Sequence, residues 1–171
     1  MARNDSCQVC GGEVRPYRHD WVFRCAGCRV LSSTLEVAIP AQASEAVIDE
    51  VAREAGLATL RRRNNERLLA GLASLLPEGR RRLLDVGSGP GFLLAQAKEA
   101  GFQAEGIEPD ANTVEAARSH GANVRHGYFP EALMADERFD VIVFNDVLEH
   151  IPDLKGALAA SARHLAAGGV L

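Results

Sequence analysis

The sequence predicts an α/β protein: a mostly parallel sheet with helices on both faces, preceded by a small cysteine module and a helical linker. Three observations carry this. From Arg82 onward, short apolar runs alternate with helical segments, the pattern of parallel strands joined by crossover helices. All four cysteines fall within the first 28 residues, as two CxxC pairs. Between these regions the apolar spacing turns helical from Ser44 to about Leu76. The expected division is a cysteine module over 1–40, a helical linker over 41–79 and an α/β domain over 80–171.

Within the module, Cys7-Gln8-Val9-Cys10 and Cys25-Ala26-Gly27-Cys28 aim two thiolates each at one point, completing the tetrahedron that Zn²⁺ prefers. Gly11 and Gly27 suit tight turns around the sulfurs. A segment this small needs such a staple to hold its shape. A closed four-cysteine site leaves no open coordination position, so a structural zinc is expected. Short β-like runs flank it at Trp21-Val22-Phe23-Arg24 and Val30-Leu31.

In the linker, Ser44-Glu45 marks a helix start and Val47, Ile48, Val51 and Ala55 share a face. A second helix, about Thr59 to Leu75, is expected to gather Leu60, Leu68, Leu69, Leu72, Leu75 and Leu76 and to turn Arg61-Arg62-Arg63 outward. Pro77-Glu78-Gly79 ends it. Strands are then expected at Leu83–Val86, Phe102–Ile107, Ala122–Arg125 and Phe139–Phe144, the last buried on both faces. Helices fall at Phe92–Ala100, Ala111–His120 and Leu154–Leu165, and Val170-Leu171 starts one more strand.

Composition sets outer bounds. The chain has 171 residues, 47% of them hydrophobic and 25% charged, as expected of a folded protein. A net charge of −4 argues against a nucleic-acid or anionic-membrane partner and suits an enzyme of small molecules. Met1-Ala2-Arg3-Asn4-Asp5-Ser6 lacks the apolar run of a signal peptide. No stretch approaches the roughly 20 apolar residues of a membrane span. The cytoplasm, where thiols stay reduced, is the expected compartment.

The chemistry concentrates in Asp85-Val86-Gly87-Ser88-Gly89-Pro90-Gly91, between the first strand of the α/β domain and its first helix. Open α/β sheets bind ligands at the carboxyl ends of their strands, where a glycine turn and a helix N-terminus supply backbone donors. The second strand ends in Gly106-Ile107-Glu108, placing Glu108 to accept from ribose hydroxyls. The dinucleotide fingerprint G-x-G-x-x-G is not met, because Phe92 stands where its third glycine falls. Asp85 would repel a pyrophosphate and suits a positively charged amino group, so a nucleoside with an amino-acid tail fits better.

With these residues in view, the sequence resembles the class I, Rossmann-like, S-adenosylmethionine (SAM)-dependent methyltransferases. LLDVGSGPGFLLAQAKEAG, FQAEGIEPD, RFDVIVFNDVLEHIPD and HLAAGGVL occur in the family's order and spacing over about residues 82–171. The resemblance implies that Asp85, Gly87 and Gly89 line the methionine end of SAM, that Ser88 and Gly91 also belong to the cofactor site, and that Glu108 takes the ribose. Gly127-Tyr128-Phe129 would flank the adenine, and Asn145 would face cofactor and acceptor. Many relatives carry an acidic residue near Tyr128, and this chain does not. The leader CQVCGG…RCAGCRVL…P is similar to the zinc ribbons of bacterial methyltransferases in sugar, polysaccharide and natural-product pathways.

SAM is an activated methyl donor, so the enzyme must orient an acceptor, exclude water and, where needed, remove a proton. His150, just past the fourth strand, is the candidate base; its alternative role is in a turn leading to Pro152 and to Asp153 as helix cap. His19, His120, His126 and His164 are expected at the surface, and Arg80-Arg81-Arg82 at a solvated edge. The expected reaction is methyl transfer to oxygen or carbon of a sugar, polysaccharide precursor, quinone-like or secondary-metabolite acceptor. Two alternatives stay open: an RNA-base methyltransferase gripping nucleic acid through the arginines of the cysteine module, and a SAM-binding module without turnover. Relatives continue past the Gly-Gly pair with further strands, so the resemblance also implies a domain truncated at Leu171, poor at turnover and inclined to self-associate through an exposed sheet edge.

Overall fold

The structure, a computed structural model, describes residues 6–34 and 50–171, with side chains from residue 56 onward in the second stretch. It divides into two units, Met1–Arg53 and Glu54–Leu171. Among the described residues no helix is long and apolar enough to cross a membrane.

The first unit holds a three-stranded antiparallel sheet in the order β1-β2-β3, with β1 at Val14–Tyr17, β2 at His19–Cys25 and β3 at Leu31–Ser33. The sequence marked β2 and part of β3 but not β1, whose Arg15 and Pro16 dilute the strand signal. Among the described residues β1 is an edge strand, which is where a proline without an N–H is tolerated.

α1 (Glu50–Leu75), which belongs to the second unit from Glu54 onward, leads into β4 (Arg82–Val86), α2 (Phe92–Glu99), β5 (Gln103–Glu108), α3 (Ala111–Ser119) and β6 (Val124–His126). Then come β7 (Phe139–Val143), a 3-10 turn (Leu148–His150), α4 (Leu154–His164) and β8 (Leu165–Val170). The strands form one parallel sheet in the order β6-β5-β4-β7-β8. Long apolar runs place β4 and β7 at its centre. Leu83 joins a cluster with Leu69, Leu72, Leu76, Leu93 and Val141, while Leu84 joins another with Val86, Ile107, Phe139 and Ile142. Adjacent residues of one strand thus feed opposite faces, as alternation requires.

Five expectations are corrected. Ser44, Val47 and Ile48 lie outside the described residues, as do the side chains of Val51 and Ala55, but from Glu50 a single helix runs through Gly56 to Leu75 instead of two. A glycine costs a helix interior only about 1 kcal/mol, and the remaining turns outweigh it. Its buried stripe is Asn65, Leu69, Leu72 and Leu76, spaced by four, three and four. Leu60, Leu68 and Leu75, expected on that stripe, are exposed. Leu68 and Leu75 each precede a buried leucine by one residue, which rotates them about 100° off the face.

The last strand begins at Leu165, not at Val170. Ala166-Ala167-Gly168-Gly169 carries almost no strand propensity, and the pairing slips, with Phe139 opposite Leu165 and Val141 opposite Val170. His164, expected at the surface, is buried, and its Nδ1 lies 3.0 Å from the Glu137 carbonyl oxygen. The arginines at 80–82 are not merely solvated. Arg80 pairs with Asp140 at 3.2 Å, Arg81 lies over the Phe102 ring, and Arg82 lies over Phe139 while reaching Glu105 at 3.5 Å.

The orientation of α1 makes a measurable contrast. Leu69→Ala removes a fully packed side chain and should cost about 2–5 kcal/mol by chemical denaturation, whereas Leu75→Ala should stay within about 0.5 kcal/mol. Equal losses would place the helix on a different face.

Candidate functional site

Four loops leave the carboxyl ends of β4, β5, β6 and β7, which are neighbours in the sheet, so they gather along one edge. This edge carries every site residue expected in the second unit except His150, which follows a few residues beyond β7. β4 delivers Asp85 and the glycine turn. Gly87 (φ 71°) and Gly89 (φ 52°) take left-handed conformations that a side chain would strain. Gly87 and Ser88 donate their N–H groups to the Ile107 carbonyl at 2.8 and 3.1 Å, tying the turn to β5. Gly91 begins α2, and a Cβ there would meet the Cβ of Ala122 at 2.8 Å, so its role is close packing.

Glu108, at the end of β5, does more than the sequence indicated. Its Oε2 accepts from Gly89 N at 3.0 Å and its Oε1 from Asp110 N at 3.0 Å. The carboxylate therefore holds the glycine turn in shape, with lone pairs remaining for a further donor. Asp85 is 3% exposed, and burial, then the charge of Glu108, pushes its carboxyl up to about 7. Among the described residues neither Asp85 nor Glu108 has a cationic partner. The Ser88 hydroxyl is also buried without a hydrogen-bond partner, and it packs so closely on Gly106 that a Cβ there would collide with its Oγ. Two carboxylates and one unmatched hydroxyl beside a bare glycine turn suit a ligand with a cationic group and polar arms.

The remaining expected residues sit nearby in the chain's order. Tyr128 is exposed, and Phe129 packs edge-on against Phe144 with ring centroids 5.4 Å apart. Asn145 is exposed just past β7. His150 is exposed at the end of the 3-10 turn, its N–H donating to the Val147 carbonyl at 2.9 Å. Asp153 caps α4, accepting from Gly156 N at 2.9 Å. An open groove of about 800 Å³ runs beside α2, lined by Phe92, Ala95, Lys98, Phe102 and His120; it reaches Gly91 but none of Asp85, Glu108 or Asn145.

In the first unit, the Sγ atoms of Cys7, Cys10, Cys25 and Cys28 all lie within 4.8 Å of one another. The closest pairs are Cys7–Cys28 at 3.5 Å and Cys10–Cys25 at 3.4 Å. Val9 N and Cys28 N point at Cys7 Sγ and Cys25 Sγ, both at 3.4 Å, a pattern that favours thiolate at each. The Cys28 N–H holds the Cys25 thiol well below its ordinary range. Gly11 takes the left-handed φ of 71° that a tight turn uses, and a glycine the sequence did not single out, Gly12, makes room for sulfur: a Cβ there would lie 3.2 Å from Cys10 Sγ, against 3.9 Å at Gly27.

The chain matches a family described as a methyltransferase domain over residues 57–171. It is 39% identical over 93 residues to the ubiquinone biosynthesis O-methyltransferase of Paramagnetospirillum magneticum, covering 52% of this chain and 37% of that protein. It is 35% identical over 95 residues to the enzyme of the same name from Nitrobacter winogradskyi, covering 53% and 36%. The chain thus spans little more than a third of these relatives. Among solved structures, Streptomyces venezuelae DesVI superposes with a TM-score of 0.54 at 23% identity, covering 64% of this chain and 48% of that one. Magnesium protoporphyrin IX methyltransferase from Synechocystis PCC 6803, solved with bound SAM, gives 0.53 at 17% identity, covering 61% and 54%. At these identities the structural likeness shows the fold alone.

The buried Asp85 carboxyl has a thermodynamic signature. Its folded pKa lies above its unfolded value of 3.8, so between about pH 4 and 7 the folded state keeps a proton that the unfolded state has lost. Stability should fall as pH rises through that window, by up to about 1.4 kcal/mol per pH unit, and level off above about 7. Asp85→Asn should flatten this component. Parallel denaturation profiles for the two proteins would show that Asp85 is ionised throughout.

Proposed function

Since the chain belongs to the methyltransferase-domain family, we propose that it binds SAM in the glycine turn and moves the methyl group to oxygen or carbon of a small-molecule acceptor. The observation that carries the cofactor is the pair of carboxylates, Asp85 and Glu108, left without cationic partners beside Gly87 and Gly89. A pyrophosphate would be repelled there, while a sulfonium nucleoside with an ammonium group would be attracted. Bound SAM supplies an electrophilic methyl group. The chain's own part is to hold and orient: Asp85, Gly87 and Gly89 the methionine end, with Ser88 beside them and Gly91 shaping the turn by its packing on Ala122, Glu108 the ribose diol, Tyr128 the adenine, and Asn145 the boundary with the acceptor. His150 stands on the acceptor side as the base that takes the acceptor's proton.

Oxygen is the favoured acceptor atom, supported by the O-methyltransferase names of the curated relatives. The acceptor itself is a sugar, polysaccharide precursor, quinone-like compound or secondary metabolite. In this reading residues 1–40 are a structural zinc module, 41–79 a helical linker and 80–171 the SAM-binding domain. The sulfur geometry supports the zinc: four thiolates about 2.3 Å from one ion stand about 3.8 Å apart, and the observed spacings bracket that value.

Glu108→Ala removes both an acceptor for the ribose and the brace on Gly89 N. Charge-assisted bonds are worth about 1.5–3 kcal/mol each, so SAM affinity by calorimetry should fall at least about tenfold. Unchanged affinity would move the cofactor elsewhere. Turnover is tested by incubating the protein and SAM with pools of phenols and sugars and searching for a mass gain of one methyl group; binding without any such gain would leave a SAM-holding module.

Metal analysis should find about one tightly bound zinc per chain. Cys25→Ser should lose it and disrupt the first unit while the later unit keeps its unfolding transition. A metal-free protein with an intact first sheet would sink the zinc assignment.

A further inference from the structure

Val147 follows β7 at the start of the 3-10 turn that ends in His150. A Cβ built on Gly87 would lie 2.5 Å from Val147 Cγ2, 2.9 Å from Cγ1 and 3.3 Å from Cβ. The valine side chain therefore rests on the bare α-carbon of the glycine turn, in the volume any other residue at 87 would claim. Gly87 cannot retreat, because its N–H is tied to the Ile107 carbonyl at 2.8 Å. The residue before the valine is bent to allow this. Asp146 has φ 57°, and among the described residues of the second unit it is the sole non-glycine in the left-handed region. Such a conformation costs energy and persists only where the surroundings impose it. It turns the chain so that Val147 reaches back to the glycine turn while Asn145 and Asp146 stay exposed. The Val147 carbonyl in turn accepts His150 N at 2.9 Å.

We propose that Val147 is a positioning residue that registers the acceptor-side segment Asn145–His150 against the cofactor turn through its contact with Gly87. The inference rests on the glycine turn being the SAM site. Val147 touches neither reacting group; it fixes the distance between the turn that holds the donor and the segment that carries Asn145 and His150. A change in the shape of one is transmitted to the other by steric contact, since packed side chains shift in discrete steps instead of deforming continuously.

The test uses the whole chain with S-adenosylhomocysteine (SAH) as the calorimetric probe. Gly87→Ala should weaken SAH binding by about a hundredfold, combining a collision with left-handed strain. Adding Val147→Ala to that variant should recover about tenfold, because the collision is relieved while the strain remains. Val147→Ala alone should bind SAH within about threefold of wild type. The second readout is the His150 ring resonance, assigned among five histidines by its loss in His150→Gln. It should shift on SAH binding in the wild type and stay still in Val147→Ala. A double variant no better than Gly87→Ala, or a His150 resonance that responds equally without the valine, overturns the inference while the cofactor reading stands. Wild-type protein that does not bind SAH overturns both.

Discussion

Gly87 and Ser88 share the Ile107 carbonyl, and Glu108 takes the next free N–H, that of Gly89. The glycine turn after β4 is thus built against the end of β5, not against its own side chains. The consequences spread along the sheet edge. With the turn fixed, Gly91 is placed to open α2 against Ala122, and α2 in turn buries Leu93 and Ala97 against the cluster that α1 covers. On the other side, the fixed α-carbon of Gly87 receives Val147 and sets where the segment after β7 begins. One pair of strand ends therefore governs both the helix packing and the loop opposite.

The carboxylates of this unit fall into two groups with opposite electrostatics. Glu105 and Glu137 clasp Arg125 at 2.5 and 2.6 Å, and Arg125 holds Glu137 down to about 2. Those charges are matched and serve to join β5, β6 and the loop before β7. Asp85 is more deeply buried, unmatched, and pushed the other way, to about 7. Among the described residues, arginines reach one carboxylate pair and not the other, which leaves in the folded state a cost that a proton or a ligand cation relieves. The contrast between the two pairs, within one sheet, is what supports the proposed ligand role of Asp85 and Glu108.

Much of this architecture was legible because the signals were local. Runs such as Leu83–Val86 and Phe139–Val143 are buried on both faces, so their hydrophobicity is continuous and bounded by turns. The CxxC pairs and the glycine turn are spacings of a few residues. What escaped notice depended on distant partners. Leu68 and Leu69 are chemically identical neighbours, and only the sheet decides which is buried. β8 is written in alanine and glycine and exists through pairing with β7. His164 is buried because its ring finds the Glu137 carbonyl 27 residues away in sequence. Val147 meets Gly87 beyond the paired ends of β4 and β7, a contact with no signature in the composition of either segment.

The same logic refines what the three glycines of the turn are for. Two of them leave space that protein fills: Val147 occupies the volume beside Gly87, and Ala122 that beside Gly91. A Cβ on Gly89 would meet nothing within 4 Å. Its N–H, however, is fixed by Glu108, the residue assigned to the ribose. Gly89 is therefore the position where backbone is both bare and open, the combination that lets a ligand approach the chain closely. The G-x-G-x-G spacing reads as one repeated requirement, but it is three: a seat for a valine, a face left open to a ligand, and a seat for a helix against its neighbour. An alanine at 87 or 91 would first meet protein, whereas an alanine at 89 would meet open space, the space the proposed cofactor would enter.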